Sequence, residues 1–116
     1  MVNSTNLKAK VLYVDDESIN LRLLKISFMG NYNVTTISSG EQALEIIQDL
    51  AQFDIVLSDQ QMPGMSGTEF MIKAKQLLPN SKYILLTGCT DIEALEKAIN
   101  EVGLWQYVKN LGNLQI

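Results

Sequence analysis

The chain has 116 residues, with 9 lysines and arginines, 13 aspartates and glutamates, no histidine and one cysteine. Because no histidine is present, Ser-His-Asp catalysis, histidine-ligated metals and an imidazole general base are excluded for this sequence. The single cysteine, Cys89, excludes an internal disulfide and a zinc cluster and is typical of a reducing compartment, so we expect a cytoplasmic location. Chemistry is therefore expected from carboxylates, lysine, hydroxyl groups and a hard metal ion.

The formal net charge of −4 argues against nucleic acid as a direct partner, because phosphate binding requires a basic surface. The apolar runs are far shorter than the roughly 20 residues of a membrane-spanning helix, so no membrane span is expected. The length suits a single domain, 1–116, with a core at about 8–109 and a short atypical tail at 110–116.

Short apolar runs alternate with helical patterns along the chain. The runs predict five strands, at 11–14, 34–37, 55–57, 83–86 and 105–108. Between them, apolar residues recur at the spacing of four helices: Ile19/Leu23/Ile26, Ala43/Ile47/Leu50, Phe70/Ala74/Leu77 and Leu95/Ala98/Val102. This alternation predicts an α/β fold of parallel βαβ units with helices on both faces of one sheet.

Strand composition predicts the order of the sheet. The first, third and fourth runs are almost wholly apolar, as strands covered on both faces are, whereas the second and fifth carry the polar residues typical of edges. Right-handed crossovers then favour the flavodoxin-like doubly wound order 2-1-3-4-5. In this order the winding reverses between the first and third strands, and ligands of open α/β sheets bind in the crevice at that point.

Polar residues stand at the ends of four strands: Asp15 and Asp16 after the first, Asp59 after the third, Thr87 after the fourth and Lys109 after the fifth. Because the carboxyl ends of parallel strands share one rim, the three carboxylates are expected to crowd where the winding reverses. Crowded carboxylates repel one another, so either some take up protons or a cation neutralises them. A site of oxygen ligands alone suits Mg²⁺.

Such a site fits phosphoryl transfer, in which Lys109 supplies positive charge, Thr87 donates a hydroxyl and Asp59 is the nucleophile that forms an acyl phosphate. Taken singly, each residue has a simpler structural explanation. Asp16 suits a helix cap, Asp59 a turn, Thr87 a strand end and Lys109 a solvated surface position. Their shared position at the strand ends favours the functional interpretation.

Four segments resemble, in order and spacing, the response-regulator receiver domain of two-component signalling: VDDE at 14–17, LSDQQMPG at 57–64, LTG at 86–88 and VK at 108–109. The resemblance covers roughly residues 8–109. It implies a phosphorylation-activated signalling switch in which Asp59 accepts a phosphoryl group. The donor would be a phosphohistidine on a sensor histidine kinase or a histidine phosphotransfer protein, and the signal would pass to an output domain or partner.

The same resemblance implies roles for the other residues of the site. Mg²⁺ would be held by Asp16, Asp59 and the backbone carbonyl of Gln61, with Asp15 acting through a metal-bound water. Thr87 and Lys109 would contact the phosphoryl oxygens. A receiver is a signalling domain rather than an enzyme acting on external substrates, although Mg²⁺-dependent self-phosphorylation and autodephosphorylation are expected of it.

Receiver domains usually end with a fifth helix, but only residues 110–116 follow Lys109. This tail is too short and too glycine-interrupted for a stable helix, so the fifth helix is expected to be missing or truncated. The sheet face beside the first helix would then be open, and that helix carries a second apolar stripe, Leu21/Leu24/Phe28. We expect either a fragment of a longer regulator with an output domain beyond residue 116, or self-association, as a homodimer, through this face.

Three other functions compete with the phosphorylated switch. The principal alternative is a receiver-like protein-interaction module that does not turn over phosphate. A Mg²⁺-dependent phosphatase is weaker, because such enzymes commonly place a second aspartate two residues after the nucleophile, where this chain has Gln61. Flavin binding is weaker still, because the segment that resembles a phosphate loop, 87–90, follows the fourth strand instead of the first.

Overall fold

The computed structural model describes residues 8–50, 52–88 and 92–116. The chain forms, in order, β1 (Ala9–Val14), α1 (Ser18–Phe28), β2 (Tyr32–Ile37), α2 (Gly40–Leu50), β3 (Ile55–Asp59), α3 (Gly67–Leu77), β4 (Lys82–Leu86), α4 (Ile92–Glu101) and β5 (Gln106–Val108). The five strands are parallel and lie in the order β2-β1-β3-β4-β5. This confirms the predicted flavodoxin-like topology.

The two faces of the sheet carry separate apolar cores, because successive side chains of a strand point to opposite sides. One face packs against α2, α3 and α4, with Leu12 and Leu85 of the strands meeting Ile47 and Phe70 of the helices. The other face packs against α1 and the end of the chain. Within the described ranges, three helices therefore cover one face and a single helix covers the other.

The helix α1 packs through a different stripe from the one that the sequence analysis takes first. Leu24 is 1% exposed, and Leu21 and Phe28 pack against the same core. The stripe Ile19/Leu23/Ile26 instead faces outwards, and Leu23 is 53% exposed. Two apolar stripes overlap on this helix, and only the stripe that faces the sheet is buried. Both have helical spacing, so periodicity alone does not show which of them is buried.

The tail after β5 partly covers the face that we expected to be open. No fifth helix forms among the described residues, as predicted, and the chain makes only a 3-10 turn at Leu111–Asn113. Leu114 is buried in the core beneath α1. The phenol of Tyr32, in β2, donates to the carbonyl of Ile116 at 3.0 Å, and Nε2 of Gln106, in β5, donates to the carbonyl of Gln115 at 2.8 Å. The tail therefore contacts both edge strands, and the expectation of an uncovered face is corrected.

Within the residues that the structure describes, no helix combines the length and apolar character needed to cross a bilayer. The side chain of Leu50, the whole of Cys89 and the last residue of the segment 87–90 lie outside the described residues.

Substitution of the two neighbouring leucines of α1 tests which stripe is buried. Leu24→Ala is expected to lower the free energy of unfolding by about 2–5 kcal/mol, because it removes a side chain from the core and leaves a cavity. Leu23→Ala is the matched control and should change it by less than about 1 kcal/mol, because Leu23 is mostly exposed. Urea denaturation measures both, and equal losses would contradict the observed orientation of α1.

Candidate functional site

The three carboxylates meet at the carboxyl ends of the two central strands. Val14, the last residue of β1, pairs with Ser58 of β3, so Asp15 and Asp59 each follow this pair directly. Carboxylate oxygens of Asp15, Asp16 and Asp59 lie within 4.8 Å of one another. The winding of the sheet reverses between β1 and β3, so the cluster lies where the sequence predicts it.

Asp15 is held by hydrogen bonds in the floor of the cluster, where 1% of its surface is exposed. Its Oδ1 accepts from the backbone N–H of Glu17 at 2.9 Å, and its Oδ2 accepts from Nδ2 of Asn20 at 3.2 Å. The phenol of Tyr13 also donates to Oδ2. Burial, and after it the hydrogen bond and charge of Asp15, raise the pKa of Tyr13, which keeps this phenol protonated as a donor. Three donors thus fix the orientation of the Asp15 carboxylate.

Asp59, at the end of β3, is half-buried, and its charged form is disfavoured first by this burial and then by the neighbouring carboxylate of Asp15. Burial and the charge of Asp15 raise the pKa of Asp59 to about 6, against the opposing effect of the backbone N–H groups of Gln60 and Gln61. A carboxyl group with a raised pKa is destabilised in its charged form, and a cation beside it relieves that penalty. Among the residues that the structure describes, the donors of the cluster are carboxylate oxygens, so its chemistry fits a hard metal ion.

Lys109 shares a cavity with two of the carboxylates. The cavity has a volume of about 340 Å³, and its lining includes Asp15, Asp59 and Lys109 together with Asn20 and Leu23 of α1. A phosphoryl-sized group in this cavity would therefore have both carboxylate residues and a lysine among its neighbours.

Thr87 and Gln61 complete the predicted set. Thr87 is buried directly after β4, and its backbone N–H donates to the carbonyl of Val108 at 2.9 Å. Its neighbour Leu86 pairs with Asp59, so Thr87 follows the strand residue next to Asp59. Gln61 is exposed in the loop after β3, and the role of its carbonyl as a metal ligand stays a prediction.

Two further polar residues shape this site and were not predicted from the sequence, Tyr13 and Gln60. The available signal for Tyr13 was a phenol placed two residues before Asp15, which puts both side chains on one side of the strand. The sequence carries no such signal for Gln60, because its burial becomes apparent only in the structure. Gly67 is also constrained, because a Cβ atom there would lie 2.2 Å from the carbonyl oxygen of Asp59.

The fold and the site define a structural class, a flavodoxin-like α/β domain with an acidic pocket where the winding of the sheet reverses. A family model described as the response regulator receiver domain matches residues 11–112. The chain belongs to this family of two-component signalling domains.

Individual relatives agree with this assignment. The structure of the chemotaxis response regulator CheY4 of Vibrio cholerae shares 31% sequence identity and a TM-score of 0.77, over 89% of this chain and 88% of that one. The sporulation initiation phosphotransferase F of Bacillus subtilis is 27% identical over 89% of this chain and 83% of its own length. The hydrogenase transcriptional regulatory protein HoxA of Cupriavidus necator is 34% identical over 87% of this chain. The chain spans 21% to 28% of the length of several longer curated relatives, HoxA among them.

Removal of the Asp59 charge should stabilise the metal-free protein. The pKa of Asp59 rises from 3.8 to about 6 on folding, so its charge destabilises the folded state above about pH 6, and this penalty disappears below about pH 4. In EDTA near pH 7.5, Asp59→Asn is expected to raise the free energy of unfolding by about 1 kcal/mol, a value reduced for solvent screening of a partly exposed group. The gain should shrink between about pH 6 and pH 4, as urea denaturation at each pH will measure.

Glu45→Gln is the control for this pH series, because Glu45 is an exposed carboxylate on α2. It should show no comparable gain at neutral pH. A gain from Asp59→Asn that stayed constant down to about pH 4 would contradict the electrostatic explanation.

Proposed function

We propose that this receiver domain is a phosphorylation-activated switch in which Asp59 accepts the phosphoryl group. The observation that carries the proposal is the shared cavity of Asp59, Asp15 and Lys109, because its lining includes a residue that can act as a carboxylate nucleophile and one that can supply positive charge to the phosphoryl oxygens. Phosphoryl transfer requires mainly positioning and charge neutralisation, and these groups provide both.

The carboxylate cluster supports Mg²⁺ as the cofactor of this reaction. We propose that Asp16 and Asp59 bind the ion directly, that the backbone carbonyl of Gln61 is a further ligand, and that Asp15 acts through a bound water. When bound, Mg²⁺ supplies positive charge for the phosphoryl oxygens and offsets the repulsion among the carboxylates. The network around Asp15, to which Tyr13 donates, would hold the carboxylate in place for this role.

In the proposed transfer, a carboxylate oxygen of Asp59 attacks the phosphorus atom of a phosphohistidine. A P–O bond forms as the P–N bond breaks, and the imidazole of the partner leaves. The hydroxyl of Thr87 and the ammonium group of Lys109 contact the phosphoryl oxygens and offset their charge. The nucleophile must be ionised, and a pKa of about 6 leaves Asp59 mostly ionised in the metal-free protein at neutral pH.

The partner that we propose is a sensor histidine kinase or a histidine phosphotransfer protein. The 116 residues contain no histidine, so the donor lies outside them. The acyl phosphate replaces one carboxylate charge with about two negative charges and adds strong acceptors, which can bias a neighbouring two-state element. An output domain or a separate protein would receive this change. We place the reaction in the cytoplasm, which the presence of a single cysteine supports.

Self-association as a homodimer through an uncovered face beside α1 stays a prediction. The stripe Leu21/Leu24/Phe28 on which it was based packs against the sheet, and the exposed stripe of α1 is Ile19/Leu23/Ile26. Light scattering that shows a stable monomer at high concentration would count against it.

Phosphorylation at Asp59 can be measured directly. Incubation with Mg²⁺ and acetyl phosphate should add about 80 Da to the intact protein in mass spectrometry, and Asp59→Asn should abolish the increase. Asp54→Asn is the control, because Asp54 is an exposed aspartate before β3, at the opposite end of that strand. It should incorporate phosphate as the wild type does.

Two results would contradict the proposal. Labelling that persists in Asp59→Asn would exclude Asp59 as the acceptor. No mass increase in the wild type would favour the alternative, a receiver-like interaction module without phosphate turnover.

Replacement of one phenol tests the support of the proposed metal site. Tyr13→Phe removes the hydroxyl that donates to Asp15 and should weaken Mg²⁺ binding about tenfold in calorimetric titration, since groups that orient metal ligands commonly have effects of this size. Tyr32→Phe is the control, because the phenol of Tyr32 donates to the carbonyl of Ile116 at 3.0 Å instead. Equal affinities for the two variants would show that Tyr13 does not orient the site.

A further inference from the structure

Gln60, the residue after Asp59, is a buried amide that connects β3 to the start of α3. It is 6% exposed, and its backbone N–H donates to the carbonyl of Leu86 at 2.9 Å. Its backbone carbonyl accepts from the N–H of Gly67 at 3.1 Å, and its side-chain Oε1 accepts from the N–H of Thr68 at 2.8 Å. Gln60 thus satisfies two of the N–H groups that are left without partners at the beginning of a helix.

Thr68, in the first turn of α3, joins this loop to α4. It is 3% exposed, and its Oγ1 lies 2.7 Å from Oε1 of Gln60 and 3.4 Å from the carbonyl oxygen of Ala94 in α4. A hydroxyl group carries one proton, so it donates fully to one of these acceptors at a time. The shorter distance assigns the proton to Gln60 in the described structure. A carbonyl oxygen has two lone pairs, so that of Ala94 can accept the hydroxyl besides its other partners.

Movement at Asp59 has a direct mechanical path to this pair. The Cα atom of Gly67 lies so close to Asp59 that an added Cβ would come within 2.2 Å of its carbonyl oxygen. A displacement of the Asp59 backbone therefore moves the first turn of α3, which contains Thr68. In close-packed interiors, small shifts are passed on to neighbours instead of being absorbed.

A cavity beside Gln60 and Thr68 leaves room for α4 to move closer to Thr68. A cavity of about 410 Å³ lies between the loop after β3 and α4, and its lining includes Gln60, Thr68, Ala94 and Lys97. Closure of part of this space would shorten the longer of the two Thr68 contacts.

We propose that Thr68 is a positioning residue that couples the Asp59 loop to α4 by exchanging the acceptor of its hydroxyl, from Gln60 in the unphosphorylated state to Ala94 in the phosphorylated state. The inference rests on the proposed function, because phosphorylation at Asp59 supplies the displacement. Through this exchange, the position of α4 would depend on whether Asp59 is phosphorylated.

Two substitutions at Thr68 separate the hydroxyl from the shape of the side chain. Thr68→Val keeps the branched shape and removes the hydroxyl, whereas Thr68→Ser keeps the hydroxyl and removes a methyl group. Thr35→Val, on β2, is the matched control for loss of a threonine hydroxyl elsewhere. The probe is beryllofluoride with Mg²⁺, added to each protein while backbone amide resonances are followed by NMR.

The site and α4 give separate readings in this titration. Wild type, Thr68→Ser and Thr35→Val should show shifts both around Asp59 and along α4. Thr68→Val should bind the probe with an affinity within about threefold of wild type, while its α4 shifts fall to about half or less. An undiminished α4 response in Thr68→Val would overturn the coupling, and so would an equal loss in Thr35→Val.

Gln60→Leu provides a second test that does not depend on Thr68→Val being folded. It should produce the change in α4 without the probe, whereas Thr68→Val should reduce that change. Gln60→Leu removes the competing side-chain acceptor, so the Thr68 hydroxyl turns to Ala94 without phosphorylation. The α4 resonances of the probe-free variant should move towards their positions in the probe-bound wild type, and movement elsewhere or none would overturn the exchange. A wild type that does not bind beryllofluoride would instead overturn the proposed function, which the signals around Asp59 report independently of α4.

Discussion

The mutual repulsion of three carboxylates is the constraint on which the site depends. Asp15, Asp16 and Asp59 lie within 4.8 Å of one another because two parallel strands end at the same rim. Asp15 is buried and held by donors, whereas Asp59 faces the cavity with a raised pKa. Burial, and after it the charge of Asp15, raise the pKa of Asp59, so the carboxylate that faces the cavity is the one whose charged form a bound cation would stabilise.

The surrounding structure keeps this arrangement from relaxing. Tyr13 holds Asp15 from within the core beneath α1, so the carboxylate cannot turn away from its neighbours without breaking a buried hydrogen bond. Gly67 brings the start of α3 against the backbone of Asp59. The cluster is thus fixed from both faces of the sheet, and each face contributes through a different core.

Much of the fold and most of the site could be predicted from the sequence, because both follow from the ends of apolar strands. The order of the sheet follows from strand composition, and residues at the carboxyl ends of parallel strands must share a rim. The orientation of α1 could not be predicted in this way, since Leu23 and Leu24 both belong to plausible apolar stripes. The tail could not be placed either, because its contacts with Tyr32 and Gln106 are long-range and involve backbone carbonyls. The role of Gln60 could not be predicted for a similar reason, since its contact with Thr68 depends on the geometry of the loop.

The exposed position of Leu23 on α1 affects the access of water to the functional site. Leu23 is 53% exposed and lines the same cavity as Asp59 and Lys109. A molecule that covered this leucine would also exclude water from part of the lining that the leucine shares with the carboxylates. Hydrophobic contact on the outside of α1 would thereby lower the effective dielectric constant around Asp59 and strengthen the charge interactions of the pocket.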